Sequence, residues 1–280
     1  MKTLAFFLAF VLAGLAAGQE GSFDRSVTVS GPVSLDVKTD SGGIAITPGS
    51  SGSVHVHAVL KAEHGWLGGG DAAERIRQIE SHPPIEQSGN QVRIGYVHDR
   101  ELLRGISMRL EIQTPADTQV LARADSGGIR VAGVRGPVDC KTDSGGIRVQ
   151  DVKAGVHAAA DSGGIHMADI GGAVVARVDS GGVEATNVSG SIDAQTDSGS
   201  IRLSQTTPAP IRAKADSGGV TVRLAPKAGY DLNLETDSGR ISVPEITVRS
   251  GFSSHHVQGK VGSGGPLVEI RAASGSVSVE

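Results

Sequence analysis

Residues 125–196 consist of four consecutive units of 18 residues: DSGGIRVAGVRGPVDCKT (125–142), DSGGIRVQDVKAGVHAAA (143–160), DSGGIHMADIGGAVVARV (161–178) and DSGGVEATNVSGSIDAQT (179–196). A fifth unit opens at Asp197, and the phrase Asp-Ser-Gly also occurs at Asp40, Asp216 and Asp237. Self-similarity at a short, constant period is typical of stacked repeat proteins. We therefore expect each unit to form one coil of a stack.

Each unit contains two stretches in which apolar and polar residues alternate. Counting from the Asp as position 0, positions 4 and 6 are apolar around a polar position 5, and positions 13, 15 and 17 are mostly apolar or small. Alternation of this kind predicts two short strands per unit, each with one buried face. Position 4 holds Ile129, Ile147, Ile165, Val183 and Ile201; position 15 holds Cys140, Ala158, Ala176 and Ala194.

The repeat predicts an all-β fold, a parallel β-solenoid with about 18 residues per coil. A single unit cannot bury its apolar side alone, whereas units stacked about 4.8 Å apart pair each strand with its counterparts above and below. We expect a right-handed coil, by analogy with other parallel crossovers. A left-handed hexapeptide helix does not fit, because it requires an apolar residue at every sixth position.

One short helix is predicted at residues 71–81, inserted near the N-terminal end. Asp71 and Glu74 resemble a capping box, Ile76 and Ile79 give a short apolar face, and Pro83-Pro84 follow. Its expected role is to cover an open end or side of the solenoid, since a bare terminal coil would expose a strand edge. Trp66 is expected to pack beneath it.

The N-terminus has the features of a secretory signal peptide, predicted at residues 1–18. Lys2 supplies the positive start, Leu4 to Leu15 is apolar, and small residues precede Gln19. No second apolar run of membrane length follows, so the mature chain is expected to be exported, to a periplasmic, cell-surface or extracellular location. Residues 19–280 are predicted to form one solenoid domain, with regular coils from 125 to 243.

The Asp-Ser-Gly-Gly phrase is interpreted first as a turn. The Asp carboxylate can accept a nearby backbone N–H, and the glycines allow positive φ. The alternative is a Ca²⁺ site, because stacking brings like charges to about 5 Å, where they repel by roughly 1 kcal/mol in water. The candidate metal residues are Asp125, Asp143, Asp161, Asp179 and Asp197. No other cofactor is predicted.

Position 5 gives a partly basic outward stripe, which is the candidate contact surface. Its basic members are Arg130, Arg148, His166 and Arg202, with Glu184 between the last two. Such a stripe fits an envelope glycan, a lipid headgroup or another surface protein. Nucleic acid is not an expected partner, because the formal net charge is −4.

No catalytic residues are identified. The competing hypothesis is a polysaccharide-degrading β-helix enzyme, which needs clustered carboxylates or a basic group in a groove. His55 and His57 share one strand face but have no third ligand in view, so exposed positions are expected. Cys140 occupies a small inward position and is expected to be a buried, inert thiol.

The exported start, the Thr39-Asp40-Ser41-Gly42 turn, the helical interruption and the repeated Ser-Gly turns resemble the bacterial putative-adhesin family. The ending, from Gly264-Gly265-Pro266-Leu267 to Ser274-Gly275-Ser276-Val277, is similar as well. The resemblance covers nearly the whole mature chain. It implies an exported, non-enzymatic β-solenoid of the cell envelope or surface, with an adhesin-like binding or scaffold role and no established catalytic residues.

Overall fold

The computed structural model describes residues 20–63, 69–97, 99–243, 247–253 and 255–280. Side chains at 69–71, 100 and 247–252 are outside that description. The predicted signal peptide and Trp66 lie outside the described residues.

The described chain forms 25 strands, one α-helix and one 3₁₀ helix. The helices are α1 (Gly69–Ser81) and the 3₁₀ helix Arg100–Leu103. In chain order the strands are β1 (Glu20–Thr28), β2 (Val33–Ser41), β3 (Ile44–Pro48), β4 (Ser53–Ala62), β5 (Ile85–Ser88), β6 (Gln91–Ile94), β7 (Ile106–Thr114), β8 (Thr118–Ser126), β9 (Ile129–Ala132), β10 (Val138–Ser144), β11 (Ile147–Val152), β12 (Val156–Ser162), β13 (Ile165–Ile170), β14 (Val174–Ser180), β15 (Val183–Val188), β16 (Ile192–Ser198), β17 (Ile201–Gln205), β18 (Ile211–Ser217), β19 (Val220–Arg223), β20 (Tyr230–Ser238), β21 (Ile241–Ser242), β22 (Thr247–Phe252), β23 (His256–Val261), β24 (Leu267–Ser274) and β25 (Val277–Val279).

Each repeat contributes one strand to each of two long sheets. The first has 12 strands, in the order β1-β4-β7-β3-β9-β11-β13-β15-β17-β19-β25-β21. The second has 13, in the order β22-β23-β20-β24-β18-β16-β14-β12-β10-β8-β2-β6-β5. The central strands are parallel, and position 4 pairs with position 4 of the next unit, as in Ile147 with Ile165. The predicted parallel β-solenoid with 18-residue coils is therefore confirmed, and the handedness of the coil stays a prediction.

The core is a set of aliphatic columns between the two sheets. Ile147 at position 4 and Val152 at position 9 are buried, and they face small residues such as Ala158 at position 15. Burying one such Ile or Val side chain contributes roughly 1.5–3 kcal/mol. The same columns repeat in every coil, so the core grows in proportion to the number of units.

The corner between the two strands of a unit uses a left-handed residue at position 8. This residue is Gly133, Asp151, Asp169 and Asn187 in successive coils, with φ of 70°, 51°, 59° and 56°. Asp and Asn adopt this conformation more readily than other non-glycine residues. The following apolar residue at position 9 can therefore turn back into the core.

The order of the coils departs from the order of the sequence at the C-terminal end. The last two strands, β24 and β25, lie between the coil of β18 and β19 and the coil of β20 and β21. The upstream Asp40 coil, by contrast, stacks directly on the first regular repeat, with Ser41 paired to Ser126. Neither placement is encoded in the repeat period.

Antiparallel strands close both ends of the stack. At one end β4 pairs with β1 and β7, and β6 pairs with β5; at the other, β23 pairs with β20 and β22. Helix α1 packs against β1 and β4 and buries Ile76 and Ile79. The helix begins at Gly69, two residues before the predicted start, so Asp71 lies within the first turn and the predicted cap position is wrong.

Candidate functional site

The Asp residues that open the repeats form one column on the outside of the thirteen-stranded sheet. Their neighbouring serines pair in register from coil to coil, as Ser144 does with Ser126 and Ser162. The five side chains are exposed, and within the described residues none makes a hydrogen bond or an ion pair. The local hydrogen bond expected for the Asp in this turn is therefore absent. The column members are Asp125, Asp143, Asp161, Asp179 and Asp197.

Lysines neutralise the column in the two coils that flank these five. Asp40 Oδ1 lies 3.2 Å from Lys38 Nζ, and Asp216 Oδ1 lies 3.0 Å from Lys214 Nζ. In the described part of the chain, no group of three or more His, Cys, Asp or Glu residues could hold a metal ion. Within the described residues, the column is thus a row of exposed carboxylates that have no ion-pair partner within 4 Å.

The turn itself is held by the residues on either side of the Asp. Gly145 at position 2 has φ of 146°, and a Cβ there would collide with the Gly127 carbonyl. The buried Thr142 Oγ1 donates to Gly127 O at 3.0 Å, as Thr196 Oγ1 does to Gly181 O at 2.8 Å. These threonines, rather than the Asp side chains, provide the polar contacts that fix the corner.

The residues of the predicted basic stripe lie in one column, and this column is divided in two. Arg130, Arg148, His166, Glu184 and Arg202 occupy equivalent register positions on successive strands. His166 Nδ1 lies 3.1 Å from Glu184 Oε2, so this pair separates Arg202 from the two other arginines. Within the described residues, the three arginines have no acidic partner.

A groove of ≈ 590 Å³ lies beside Arg130 and Arg148. It crosses β7, β3, β9 and β11, and its floor is the backbone of Gly43, Gly128 and Gly146, which all occupy position 3. Ala45 takes position 5 in the β3 coil, where the next two coils have arginine, so the side chain is smaller there. We call these residues and their neighbours the glycine groove.

Two side chains mark the ends of the glycine groove. Arg109 on β7 has the register of Gly43 and projects outward at one end, because Leu110 pairs with Ile44. At the other end the His166 ring lies over Gly164, with Nε2 3.3 Å from where a Cβ would stand. Between Arg109 and His166 lie three coils with glycine at position 3, which together span about 14 Å at one strand spacing per coil.

The amides of the floor are left outside the β-ladder. At each corner the ladder bonds are donated by the preceding glycine and the following aliphatic residue, as by Gly145 N to Ser162 O and Ile147 N to Gly164 O. The intervening N–H of Gly146 takes no part in them. Glu111, at position 5 of β7, supplies the one carboxylate that lines the groove. The glycine groove thus combines three arginines, one histidine, one carboxylate and backbone amides that make no ladder bond within the described residues.

Arg109 and Glu111 were not among the residues predicted from the sequence. They belong to β7, which lies outside the 18-residue repeat and reaches the groove because it pairs in parallel with β3. That pairing joins segments about 65 residues apart in the chain, and no local sequence pattern predicts it.

The histidine pair predicted on one strand face is partly exposed and contacts a carboxylate from β1. His57 Nδ1 lies 3.0 Å and His55 Nε2 3.5 Å from Asp24 Oδ1, and His55 Nδ1 lies 2.9 Å from Ser26 Oγ. The carboxylate is 60% exposed. The cluster lies on the face of the β1–β4 pair, which agrees with the expected surface position.

Cys140 is buried, as predicted from its small inward position. Burial raises the pKa of the Cys140 thiol far above its ordinary value, with a smaller contribution from the charge of Asp139. A neutral thiol enclosed by the core is a poor nucleophile.

A larger cavity of ≈ 760 Å³ lies at the C-terminal end, lined in part by Leu224, Val243 and Val261. The three residues after Val243 lie outside the described ranges. The glycine groove, by contrast, is built wholly from described residues.

Comparisons with known proteins identify the domain. The family model described as Toastrack DUF4097 matches residues 33–280. No curated protein matches the chain. Among solved structures, a protein described as a putative adhesin from Bacteroides fragilis shares 13% identity, covering 93% of this chain and 97% of that one, with a TM-score of 0.49. A protein described as a putative cell adhesion protein from Clostridium sporogenes shares 11% identity, covering 92% and 99%, with a TM-score of 0.28.

Within the described residues, no helix has the length and apolar character needed to cross a membrane.

Proposed function

The chain belongs to the Toastrack DUF4097 family, and from this premise we propose that it is an exported, non-enzymatic β-solenoid of the cell envelope or surface with an adhesin-like binding or scaffold role. The family is a domain of unknown function, so the activity has to be argued from this chain's own residues. The proposed partner is an anionic component of the envelope.

One observation carries the proposal: Arg130 and Arg148 stand side by side on adjacent strands, and neither has an acidic partner among the residues that the structure describes. Exposed arginines in globular proteins commonly find a carboxylate nearby, as Arg135 does with both oxygens of Asp117 at 2.6 Å in this chain. Two adjacent unpaired guanidinium groups repel each other and attract anions. The rigid parallel sheet holds them at one strand spacing.

The residues of the groove support binding rather than bond cleavage. Glycoside hydrolysis ordinarily uses two carboxylates about 5–10 Å apart on either side of the scissile bond. Glu111 is the single carboxylate lining the glycine groove. A polysaccharide-degrading enzyme remains the competing hypothesis, and incubation with a panel of glycans tests it. Release of reducing ends or unsaturated products would contradict the proposal.

Salt-sensitive capture on an immobilised cell-envelope polysaccharide fraction tests the binding role. We expect the protein to be retained at low ionic strength and released as salt rises, because exposed charges are screened beyond about 10 Å at 0.1 M. The double variant Arg130→Glu/Arg148→Glu should lose retention. Unchanged retention of that variant would remove the stripe from the function.

Export is supported by the predicted signal peptide at residues 1–18. Fractionation of cells that express the full chain should place the protein outside the cytoplasm, with a mass consistent with removal of that segment. A variant lacking residues 2–18 is the matched control and should stay in the cytoplasm. Cytoplasmic recovery of the full chain would contradict the localisation.

A further inference from the structure

We infer that the glycine groove binds one chain of an acidic polysaccharide, laid along the solenoid axis with its carboxylates on Arg130 and Arg148. The inference rests on the proposed function and narrows it to one site and one ligand class. It concerns the groove itself, whereas the proposed function requires only the charged stripe.

The side chains of the groove have the charge and the spacing that suit a polymer with regularly placed carboxylates. Arg109, Arg130 and Arg148 line the groove and have no acidic partner within the described residues. A guanidinium group binds a planar carboxylate through two parallel hydrogen bonds. Neighbouring strands are about 4.8 Å apart, which is close to the length of one sugar ring in an extended chain. A polymer with a carboxylate on each sugar can therefore place successive charges on successive coils.

The floor of the groove carries no side chains at position 3, although other coils have a side chain at this position. Position 3 is Ser200 and Ser276 in two other coils, where the backbone does not have positive φ. A Cβ would meet the carbonyl oxygen of the next coil at 3.4 Å on Gly146, 3.3 Å on Gly128 and 3.1 Å on Gly182, contacts that a shift of a few tenths of an ångström relieves. Glycine is thus not required by the fold at this position. Along the groove, its absence of a side chain instead gives a ligand close access to the backbone.

The groove also has hydrogen-bonding groups suited to sugar hydroxyls. The floor amides lie outside the ladder, and Glu111 offers an acceptor in the same register column as Arg130 and Arg148. A hydroxyl can donate to Glu111 and accept from a glycine N–H, whereas a purely anionic ligand would be repelled by that carboxylate. A ligand with both carboxylates and hydroxyls satisfies every group.

The shape of the groove favours a chain over a membrane surface or a peptide. A lipid bilayer is flat on this scale and cannot reach a floor recessed between side chains that end it at Arg109 and His166. An added peptide strand needs an open sheet edge, and the strands that carry the floor, β3, β9 and β11, are each paired on both sides.

The test measures binding of oligogalacturonate, a linear polymer with one carboxylate per sugar, by titration calorimetry at low salt. Gly128→Ser/Gly146→Ser fills the floor without changing any charge, and we expect affinity to fall about tenfold or more, equivalent to about 1.4 kcal/mol. The matched control Gly182→Ser adds the same group in the same column outside the groove, and its affinity should stay within about twofold of the wild type.

The arginines are tested separately by the same measurement. Arg148→Glu should abolish binding, whereas Arg202→Glu, beyond the His166–Glu184 pair, should have little effect.

Circular dichroism and thermal unfolding establish that each variant is folded. If the folded variant Gly128→Ser/Gly146→Ser binds oligogalacturonate with wild-type affinity, the inference about the groove is overturned. The proposed function, which requires only the stripe, still holds in that case if Arg130→Glu/Arg148→Glu is no longer retained on envelope polysaccharide. Absence of oligogalacturonate binding by the wild type would also overturn it. Equal binding of a neutral oligosaccharide, of poly-glutamate or of phosphatidylglycerol vesicles would overturn the assignment of the ligand class.

Discussion

At the residue scale, the two glycines of the repeated phrase have different physical roles. The first, at position 2, adopts φ between 129° and 154° in seven coils, and its α-carbon packs against the backbone of the adjacent coil: Gly127, Gly145, Gly163, Gly181, Gly199, Gly218 and Gly275. The second, at position 3, needs no positive φ, approaches the adjacent coil less closely, and is replaced by Ser200, Arg240 and Ser276. The sequence shows two identical letters, and only the backbone separates a residue needed for folding from one available for binding.

We predict that Gly145→Ala and Gly146→Ser differ sharply in stability. The alanine would have to adopt a strained φ and push Gly127 away, so unfolding should become easier by about 2 kcal/mol or more. The serine should cost less than about 1 kcal/mol. Urea unfolding followed by circular dichroism measures both, and equal losses would show that the two positions are equivalent.

At the element scale, the Asp column and the threonines beside it have opposite effects on the corner. Thr142 and Thr196 bond to carbonyls of the adjacent coil, and each such bond contributes about 1 kcal/mol. The five unpaired carboxylates contribute mutual repulsion. The stack tolerates this repulsion because the side chains are exposed and water screens the charges.

We predict that Asp161→Asn leaves the free energy of unfolding unchanged or raises it by up to about 1 kcal/mol, because Asp143 and Asp179 lose a charged neighbour. A calcium ladder, or a turn that depends on the Asp carboxylate, predicts a loss instead. Thermal unfolding of wild type and variant, each with EGTA and with added Ca²⁺, distinguishes the two. A melting temperature of the wild type that falls with EGTA and rises with Ca²⁺ would support the calcium-stabilised roll.

At the scale of the whole molecule, the stack is modular along its axis and closed at its ends. Each regular coil contacts chiefly the coils on either side, as in other solenoids. The antiparallel strands and helix α1 protect the ends, where an open strand edge would otherwise invite association. The inserted position of β24 and β25 also ties the C-terminal end of the chain into the stack.

We predict that deletion of residues 180–197 leaves a folded protein. It removes one full period and joins Asp179 to Ser198, so β14 can pair with β18 and β13 with β17 in the native register. The melting temperature should stay within about 10 °C of the wild type, with one cooperative transition.

The control deletion, residues 180–188, removes half a period. Its odd length moves the following strand from one face to the other, and we expect loss of cooperative unfolding. Cooperative folding of both variants, or of neither, would contradict a stack built from interchangeable coils.

The period of the repeat and the alternation within it were sufficient to predict the parallel coils, their aliphatic columns and the buried Cys140. These features are local in sequence, since each depends on which face of a strand a side chain occupies. The start of α1 was misplaced because Gly69 and Gly70 join the helix despite their low helical propensity. The stripe was predicted as a column, but its division by the His166–Glu184 pair required side-chain positions.

The sequence by itself determined the repeating unit, because two alternating strands in each 18 residues bury their Ile and Val side chains when the units stack as parallel coils. Only the tertiary structure decided where the groove lies. Segments far apart in the chain meet there: β7 brings Arg109 and Glu111 beside the Asp40 coil, and that coil lies beside β9 and β11. The physical reason is that strand pairing satisfies backbone hydrogen bonds without regard to distance along the chain, so the period cannot specify which non-repeating strand adds to the end of the stack.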